Sequence, residues 1–464
     1  MKKIILTLSV LLALTAGLHA AIWLPSVISD NMVLQQNSEC TFWGWTDRTS
    51  EKITVTGSWN NEPVTVKAYQ GLWSVKLKTG KAGGPYTVTI KGHETIVLEN
   101  VMLGEVWLLS GQSNMHRTPM QELNNKEEEI SNAEYPDIRF FNIPIHQSAT
   151  RQDETPGKWV ECTSETFKTF SSVGYFFGRE IHKKLDVPVG LINSSWGGTP
   201  IKVWIRDSVL RSNGKLYEEV KKIPKTPWWP DKPGSAYNAM IYPLINFNIA
   251  GALWYQGESD RQAPYTYYKT LPLLINSWRK DWGKEFPFYF VQIAPFKYKD
   301  TTNIQAAIVR DAQLQTMLNV PNTGMAVIND IGELKNIHPA NKQDVGKRLA
   351  LWALAKTYGV KDIVFSGPVY KSMDVKKNRI ILHFDYVDGG LVCKGKELKE
   401  FYIAGADRKF YPAKAKIKGE TVEVWSKDVK EPVAVRFAFS NTAQPNLFNK
   451  AGLPASAFKT DNLK

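Results

Sequence analysis

The chain contains few cysteines and, beyond its first residues, no long apolar run. Its three cysteines, Cys40, Cys162 and Cys393, are too widely spaced for a disulfide framework or for a zinc site. A single disulfide in an oxidising compartment remains open. No stretch after residue 20 is apolar enough to span a bilayer. We therefore expect no zinc site and no membrane anchor.

The chain also lacks a long block of like charge, although it is basic overall. It has 58 Lys and Arg residues against 45 Asp and Glu, a net charge of +13. Without residues 1–20 the basic count is 56 and the net charge +11. Because the lysines are scattered, they indicate a solvated surface, and we expect no nucleic-acid partner.

The first twenty residues have the three parts of a cleavable export signal. A basic start, Met1–Lys3, is followed by the apolar run Ile4–Leu14 and by the small residues of Gly17–Ala20. The run is too short for a membrane helix. We expect cleavage after Ala20 and export to the periplasm or the medium. The periplasm is favoured because no surface anchor is visible.

Two changes of pattern divide the remaining chain into three regions. Residues 21–100 alternate apolar and polar side chains, as β-strands do. Residues 101–360 alternate apolar strands with helical segments, which indicates an α/β domain. Residues 361–464 are strand-like again. The sequence thus predicts an α/β domain flanked by N-terminal and C-terminal β-sandwich-like regions.

Within residues 101–360, six apolar runs have the length of buried strands: Val106–Leu109, Ile138–Phe141, Val189–Asn193, Ala250–Trp254, Phe288–Ile293 and Met325–Ile328. Three helices are predicted between or after them, one capped by Ser172, one over 304–318 and one over 342–357. The proline- and tryptophan-rich segment 206–235 is expected to be an irregular surface insertion.

Polar or small residues follow four of these strands, at the edge where open α/β sheets place ligands. After the first strand, the tight turn at Gly111 presents Ser113 as a nucleophile, although such turns also occur without function. A serine nucleophile needs a base. His338, one of seven histidines, follows the last strand and suits that role, whereas a lone loop histidine is usually a surface residue.

The two intervening loops offer donors for a negatively charged oxygen. The Gly197-Gly198 pair allows backbone N–H groups to point into a cleft, and the side chain of Gln256 carries an amide. Each loop alone is equally consistent with an ordinary turn or a surface loop.

Together these loops resemble the sequence blocks of SGNH-type carbohydrate acetylesterases, specifically the sialate O-acetylesterase family. The resemblance covers most of residues 22–460. The blocks that carry it are Gly111–Met115, Asn193–Thr199, Trp254–Ser259 and Ile337–Pro339, with Tyr237–Ile241 and Val309–Gln313 as two more.

The resemblance implies an SGNH-type, flavodoxin-like three-layer domain with a parallel sheet. It also implies an exported serine esterase that removes acetyl groups from carbohydrates, above all 9-O-acetyl groups from sialic acids. Such an esterase implies no metal and no cofactor. Ser113 would be the nucleophile, and His338 its base and then the acid for the leaving hydroxyl. The backbone amides of Ser113 and Gly198 and the side chain of Gln256 would form the oxyanion hole.

One departure from the family pattern concerns the partner of His338. SGNH enzymes often carry an aspartate two or three residues before the histidine, where this chain has Asn336 and Lys335. Lysine cannot accept a hydrogen bond, and asparagine offers a neutral oxygen. Either the enzyme works as a Ser–His dyad helped by a backbone carbonyl, or another group orients the ring. The candidates are Asn336, Glu258, Asp330 and Glu333.

Substrate contacts are predicted for arginines and loop tryptophans. Arg117, four residues after Ser113, or Arg206 would bind the carboxylate of a sialic acid. Four loop tryptophans would contact sugar rings: Trp196, Trp204, Trp228 and Trp229.

Two alternative functions stay open. One is an acetylxylan-type esterase, which needs no cationic pocket, and the other is a non-catalytic carbohydrate-binding relative.

Overall fold

The computed structural model describes residues 22–225, 227–299 and 302–461. The predicted export signal, residues 1–20, lies outside the described residues. Mixed α/β structure is confirmed, with a large central sheet and further β-sheets on either side of it in sequence.

Strands of the N-terminal region alternate buried and exposed side chains, as in Leu72–Lys78, because one face of each sheet packs on the core. β1, β3 and β6 form one antiparallel sheet, and β4 pairs with β5 and β7. The strands are β1 Ile22–Trp23, β2 Val33–Gln35, β3 Glu39–Thr46, β4 Lys52–Gly57, β5 Pro63–Lys67, β6 Leu72–Lys78 and β7 Gly83–Lys91.

The next strand, β8 (Thr95–Gly111), is 17 residues long and belongs to two parts of the molecule. Its first half pairs antiparallel with β7, and Met102–Gly104 pairs parallel with β2. Its second half, from Glu105, is a central strand of the α/β sheet and is buried throughout. The strand therefore continues across residues 100 and 101, although Asn100 has a left-handed φ of 54° where the register with β7 shifts.

The central sheet has the order β10-β9-β11-β8-β12-β13-β14. All of its strands are parallel except the edge strand β10, which runs antiparallel to β9. Its strands after β8 are β9 Tyr135–Asn142, β10 Trp159–Cys162, β11 Val189–Ser195, β12 Gly251–Tyr255, β13 Phe288–Gln292 and β14 Thr323–Val327. Each of the six predicted strands is thus present. Five differ from the prediction by a few residues at their ends, whereas β8 is much longer than the predicted Val106–Leu109 because it begins at Thr95.

Nine α-helices accompany the described strands: α1 Ser113–His116, α2 Lys126–Ser131, α3 Ser164–Phe167, α4 Ser172–Leu185, α5 Asp207–Arg211, α6 Gly214–Lys221, α7 Tyr267–Trp282, α8 Gln305–Asn319 and α9 Lys342–Trp352. Helices α4 and α9 pack on each other, as do α7 and α8, and members of both pairs contact the sheet. A π-turn, Ala353–Thr357, continues α9. Further short 3-10 or π turns are Ile201–Trp204, Tyr237–Ile241, Tyr242–Leu244, Glu258–Asp260 and Pro264–Thr266.

Two sequence predictions about helices are wrong in detail. The cap of α4 is Ser171, whose hydroxyl accepts a hydrogen bond from the Gly174 N–H at 3.1 Å, rather than Ser172. The segment 206–235 is not irregular throughout, since α5 and α6 occupy its first half.

The C-terminal region is built from short strands in three small sheets. They are β15 Val369–Lys376, β16 Arg379–Asp385, β17 Leu391–Cys393, β18 Phe401–Ala404, β19 Phe410–Pro412, β20 Lys414–Lys418, β21 Thr421–Trp425, β22 Ala434–Phe437, β23 Leu447–Asn449 and β24 Phe458–Lys459. Arg310 on α8 joins this region to the α/β domain. Its buried guanidinium donates to the carbonyl oxygens of Ala438, Ser440 and Asn441.

All three cysteines fall within the described residues, and each is a free thiol. Across the described ranges, none of the helices combines the length and the apolar character that a membrane crossing requires.

Candidate functional site

The candidate residues meet where β8, β11 and β12 end. Gly111, the last residue of β8, is paired with Ser195 of β11 on one side and Tyr255 of β12 on the other. The loops after these strands therefore leave the sheet side by side. Since open α/β sheets bind ligands beyond the carboxyl ends of their central strands, this edge is the expected place for a site.

A cavity of about 700 Å³ lies at this edge, and Ser113, Gly198 and His338 are on its wall. Its other charged side chains are mostly basic, and it has three aromatic rings. The charged basic residues are Arg117, Arg261, Lys297 and Lys299, the acidic ones Asp231 and Glu258, and the aromatic ones Trp229, Phe296 and Tyr298. His116 is also on the wall, and burial lowers its pKa, which favours the neutral ring. The wall thus suits a ligand with both an anionic group and a face for aromatic contact.

Ser113 is the first residue of α1 and follows the turn at Gly111. Gly111 has a φ of 130°, and a β-carbon there would lie 2.3 Å from the carbonyl oxygen of Tyr255. Only glycine fits this close approach. The turn brings Ser113 Oγ to 2.9 Å from Nε2 of His338, which is within the reach of a general base.

The other ring nitrogen of His338 faces a cation. Nδ1 lies 2.9 Å from Nη2 of Arg117. Since a guanidinium is always a donor, Nδ1 must accept this bond, and the neutral ring then carries its proton on Nε2. Burial, together with the nearby positive charges of Arg117 and Lys342, lowers the pKa of His338 to about 4, and burial contributes most.

None of the four residues predicted to orient the ring hydrogen-bonds to it. Asn336 Oδ1 accepts the backbone N–H of His338 at 3.0 Å, so it fixes the main chain of the loop instead. The carboxylates are engaged elsewhere: Glu258 with Asn114, Asp330 with Arg348 and Glu333 with the N–H of Ala340. Among the described residues, the ring bonds to Ser113 and Arg117.

The glycine loop after β11 lies directly against Ser113. A β-carbon at Gly197 would lie 3.5 Å from Cβ of Ser113, and Gly198 adopts a φ of 72° beneath the indole of Trp229. Within the described part of the chain, the N–H groups of Ser113 and Gly198 donate to no other backbone group. These two donors are therefore available to a ligand oxygen.

Gln256 lies behind the cavity wall. It is fully buried, and its amide nitrogen donates to the Thr199 carbonyl at 3.1 Å and to a carboxylate oxygen of Asp260. Its oxygen accepts the hydroxyl of Tyr267 at 2.8 Å. Both amide hydrogens are thus occupied, and the structure does not bring this side chain together with Ser113.

A second glutamine, which the sequence argument passed over, does reach the cavity. Gln112 lies on its wall, next to Ser113. Its side-chain oxygen accepts the N–H groups of Gly257 and Ser259, each at 3.3 Å. Its amide nitrogen has no partner among the described residues. This placement follows from the turn at Gly111, which no sequence spacing reveals.

Beneath the cavity, a buried polar chain connects three of the loops. Lys342 Nζ donates to Asn114 Oδ1 at 2.7 Å, and Asn114 Nδ2 donates to Glu258 at 2.8 Å and to the carbonyl of Ile337 at 3.0 Å. Burial lowers the pKa of Lys342 to about 7 and raises that of Glu258. Asn114 thereby holds the loop of His338 against the helix of Ser113.

We expect Asn114→Ala to lower the free energy of unfolding by about 3 kcal/mol, because it leaves a buried ammonium and a buried carboxylate without their shared partner. Chemical unfolding followed by tryptophan fluorescence measures the change. Asn124→Ala, at an exposed side chain nearby, should stay within about 0.5 kcal/mol of the parent. An equal change in the two variants would contradict the role given to Asn114.

The structure separates the predicted substrate-contacting residues. Arg117 is on the cavity wall, whereas Arg206 is paired with Asp281 at 3.0 Å. Of the tryptophans, Trp229 lines the cavity and Trp204 is fully buried, so the expectation for Trp204 is wrong. Trp196 is partly buried against the core and is not among the wall residues, and Trp228 is exposed.

Comparison with known proteins gives concordant matches. Residues 103–355 match the family described as carbohydrate esterase, sialic acid-specific acetylesterase. The sialate O-acetylesterase of Homo sapiens is 33% identical over 420 residues, which cover 82% of this chain and 79% of that protein. The Rattus norvegicus enzyme is 31% identical over 442 residues, with 82% and 81% coverage.

A carbohydrate acetylesterase is also among the similar solved structures. The crystal structure of a carbohydrate acetylesterase from Xanthomonas citri superposes with a TM-score of 0.87 at 35% identity. The similarity covers 96% of this chain and 100% of that one, so it includes the β-regions as well as the central sheet.

Proposed function

The chain belongs to the carbohydrate esterase family of sialic acid-specific acetylesterases, and we propose that it removes O-acetyl groups from sialic acids through an acyl-enzyme on Ser113. Membership makes it a carboxylic ester hydrolase with an acetylated carbohydrate as its substrate. The observation that carries the proposal is the 2.9 Å contact between Ser113 Oγ and His338 Nε2 on the wall of a cationic cavity.

In the proposed reaction, His338 acts from the tautomer that carries its proton on Nδ1, and its free Nε2 takes the Ser113 proton as Oγ attacks the acetyl carbonyl carbon. The resulting oxyanion accepts hydrogen bonds from the N–H groups of Ser113 and Gly198 and from the amide of Gln112. His338 then protonates the departing sugar oxygen. Water, activated by the same nitrogen, attacks the acetyl-enzyme, and acetate leaves as Ser113 regains its proton.

The preference for sialic acid follows from the charge of the cavity. A sialic acid carries a carboxylate, whereas an acetylated xylan is neutral along its backbone. Arg117 lies beside the catalytic pair and forms no salt bridge with a described carboxylate, so its forked donors are available to an anion. Trp229 offers an aromatic face on the same wall.

A three-layer SGNH-type arrangement of the α/β domain is part of the same proposal. The parallel sheet has α4 and α9 as one packed pair and α7 and α8 as another, and the nucleophile follows its first parallel strand. We also propose that the N-terminal and C-terminal β-regions are sandwich-like and that residues 1–20 direct export. The N-terminal sequence of the exported chain tests the cleavage after Ala20.

Acetate release from two substrates tests the function. The full mature chain should release acetate from O-acetylated sialic acid with a higher kcat/KM than from acetylated xylan. Equal or reversed preference would support the acetylxylan alternative. Failure to release acetate from either substrate or from 4-nitrophenyl acetate would support a non-catalytic carbohydrate-binding protein.

The pH profile should report the pKa of His338. A protonated imidazole cannot take the serine proton, so kcat/KM falls as the pH drops through the pKa of the ring. With that pKa at about 4, we expect activity on 4-nitrophenyl acetate to be level from neutral pH down to about 5, to be halved near pH 4 and to fall about tenfold per pH unit below it. Circular dichroism at each pH serves as the control for unfolding. An acid limb centred near 6.5 would contradict the buried, cation-flanked environment of the ring.

A further inference from the structure

We propose that Arg117 is a substrate-operated switch on the catalytic base: it holds His338 in the non-productive tautomer until an anionic group of the substrate draws the guanidinium away. This inference rests on the proposed ester hydrolysis at Ser113. It assigns Arg117 a positioning role in addition to substrate binding.

The contact geometry defines the two states. With Nη2 of Arg117 at 2.9 Å from Nδ1, the neutral ring carries its proton on Nε2, and that N–H points at Ser113 Oγ across 2.9 Å. In this tautomer Nε2 donates to the serine and has no lone pair for the serine proton. A general base at Nε2 requires the proton on Nδ1, which the guanidinium now occupies.

The surroundings of Arg117 explain why a ligand would move it. Among the described residues, its guanidinium forms no salt bridge, and its one side-chain hydrogen bond goes to the neutral ring of His338. A guanidinium has five N–H donors and prefers a bidentate carboxylate. Because Arg117 lies on the cavity wall, an anionic substrate meets this unsatisfied cation on entering.

When the His338 ring is released from Arg117, it only exchanges protons with water. When Arg117 turns to the carboxylate, Nδ1 accepts a proton from water in the cavity, and Nε2 returns one proton to water. The ring stays neutral overall, and its Nε2 lone pair then faces Ser113. The substrate thus selects the active state by its higher affinity for the conformation in which Arg117 has left Nδ1.

A neutral ester combined with a separate small anion tests the switch. Hydrolysis of 4-nitrophenyl acetate is measured with propionate, with propionamide and with chloride at matched ionic strength. We expect propionate to raise kcat about tenfold, the effect of one lost hydrogen bond to a charged donor, and the other two additives to have no effect. Arg117→Met should show the raised kcat without propionate and no further response. Lys335→Met, which removes an exposed cation from the same loop, should respond as the parent does.

Nitrogen NMR of protein labelled at histidine reports the tautomer of His338 directly. If Arg117 had only a structural role, this tautomer would not change. The His338 signals, assigned by their loss in His338→Gln, should show the proton on Nε2 in the parent and on Nδ1 in Arg117→Met or with propionate. An Nδ1 proton in the parent without any anion, or unchanged tautomers in all samples, would overturn the proposal.

A failed switch and a failed function give different results. With O-acetylated sialic acid, Arg117→Met should raise KM about tenfold without lowering kcat. If sialic acid esters are not cleaved but propionate still activates hydrolysis of the neutral ester, the sialate specificity is refuted and the switch stands. If sialic acid esters are cleaved but neither kcat nor the tautomer responds to Arg117→Met or propionate, the switch is refuted and the function stands.

Discussion

Ser113→Ala is expected to reduce kcat/KM by a factor of about 10⁴ to 10⁶, with the fold unchanged. In the proposed reaction the Ser113 hydroxyl carries the acetyl group, and no other hydroxyl among the described residues is recorded within hydrogen-bond distance of His338. The residual rate should come from the oxyanion donors and from substrate positioning, which survive the substitution. Initial rates with 4-nitrophenyl acetate and with O-acetylated sialic acid measure the loss.

Ser110→Ala is the matched control for this variant. Ser110 lies three residues earlier in β8, and its hydroxyl is buried without a hydrogen-bond partner in the described structure. Its removal should leave kcat/KM within about twofold of the parent. Comparable rates for Ser113→Ala and the parent would show that the acyl group is not carried by Ser113.

Gln112→Glu is expected to reduce kcat by about 10² to 10³, the usual effect of losing one oxyanion donor. Glutamate keeps an oxygen that can accept the N–H groups of Gly257 and Ser259, but it replaces the amide N–H₂ with a second oxygen. A carboxylate there would repel the developing negative charge. The loss should therefore appear in kcat, while KM for 4-nitrophenyl acetate changes little.

Gln256→Ala distinguishes the two glutamines. Because the Gln256 amide is bonded to Thr199, Asp260 and Tyr267, its removal should destabilise the fold by about 3 kcal/mol. The folded fraction should keep most of its kcat. A large loss of kcat in Gln256→Ala, combined with normal kcat in Gln112→Glu, would instead support Gln256 as the oxyanion donor.

The sequence predicts the position of a candidate residue only where that residue follows the end of a strand. Ser113, Gly198 and His338 each follow a recognisable buried strand, and parallel strands end at one edge. The same rule could not rank Gln112 against Gln256, since both glutamines lie near strand ends. What separates them is the bond from Gln256 to Asp260 and the turn at Gly111, which are features of three-dimensional packing.

The partner of His338 could not be read from spacing at all. Arg117 and His338 lie 221 positions apart, and their contact depends on how the loop after β14 folds over α1. A nearby acid was expected to orient His338, whereas its ring faces the cation of Arg117. The buried chain through Lys342 and Asn114 was equally hidden, because neither residue type signals burial in sequence.

The fold was predicted best where apolar runs are continuous and worst where they are interrupted. The six buried strands are all present. Helix α7 escaped prediction because Pro272 interrupts its pattern, and proline usually ends a helix. The edge strand β10 escaped because Glu161 interrupts its short sequence Trp159–Cys162, which leaves no continuous apolar run.

The continuous strand β8 has a consequence for biosynthesis. Its first half can pair with β7 as soon as both segments are free to fold, because β7 precedes it directly in the chain. Its second half must wait for β11 and β12, whose residues 189–195 and 251–255 are translated much later. During that interval the apolar residues 106–109 present an open strand edge, which is a template for aggregation. Nascent chains that stall before residue 255 should therefore depend on chaperones more strongly than those that stall after it.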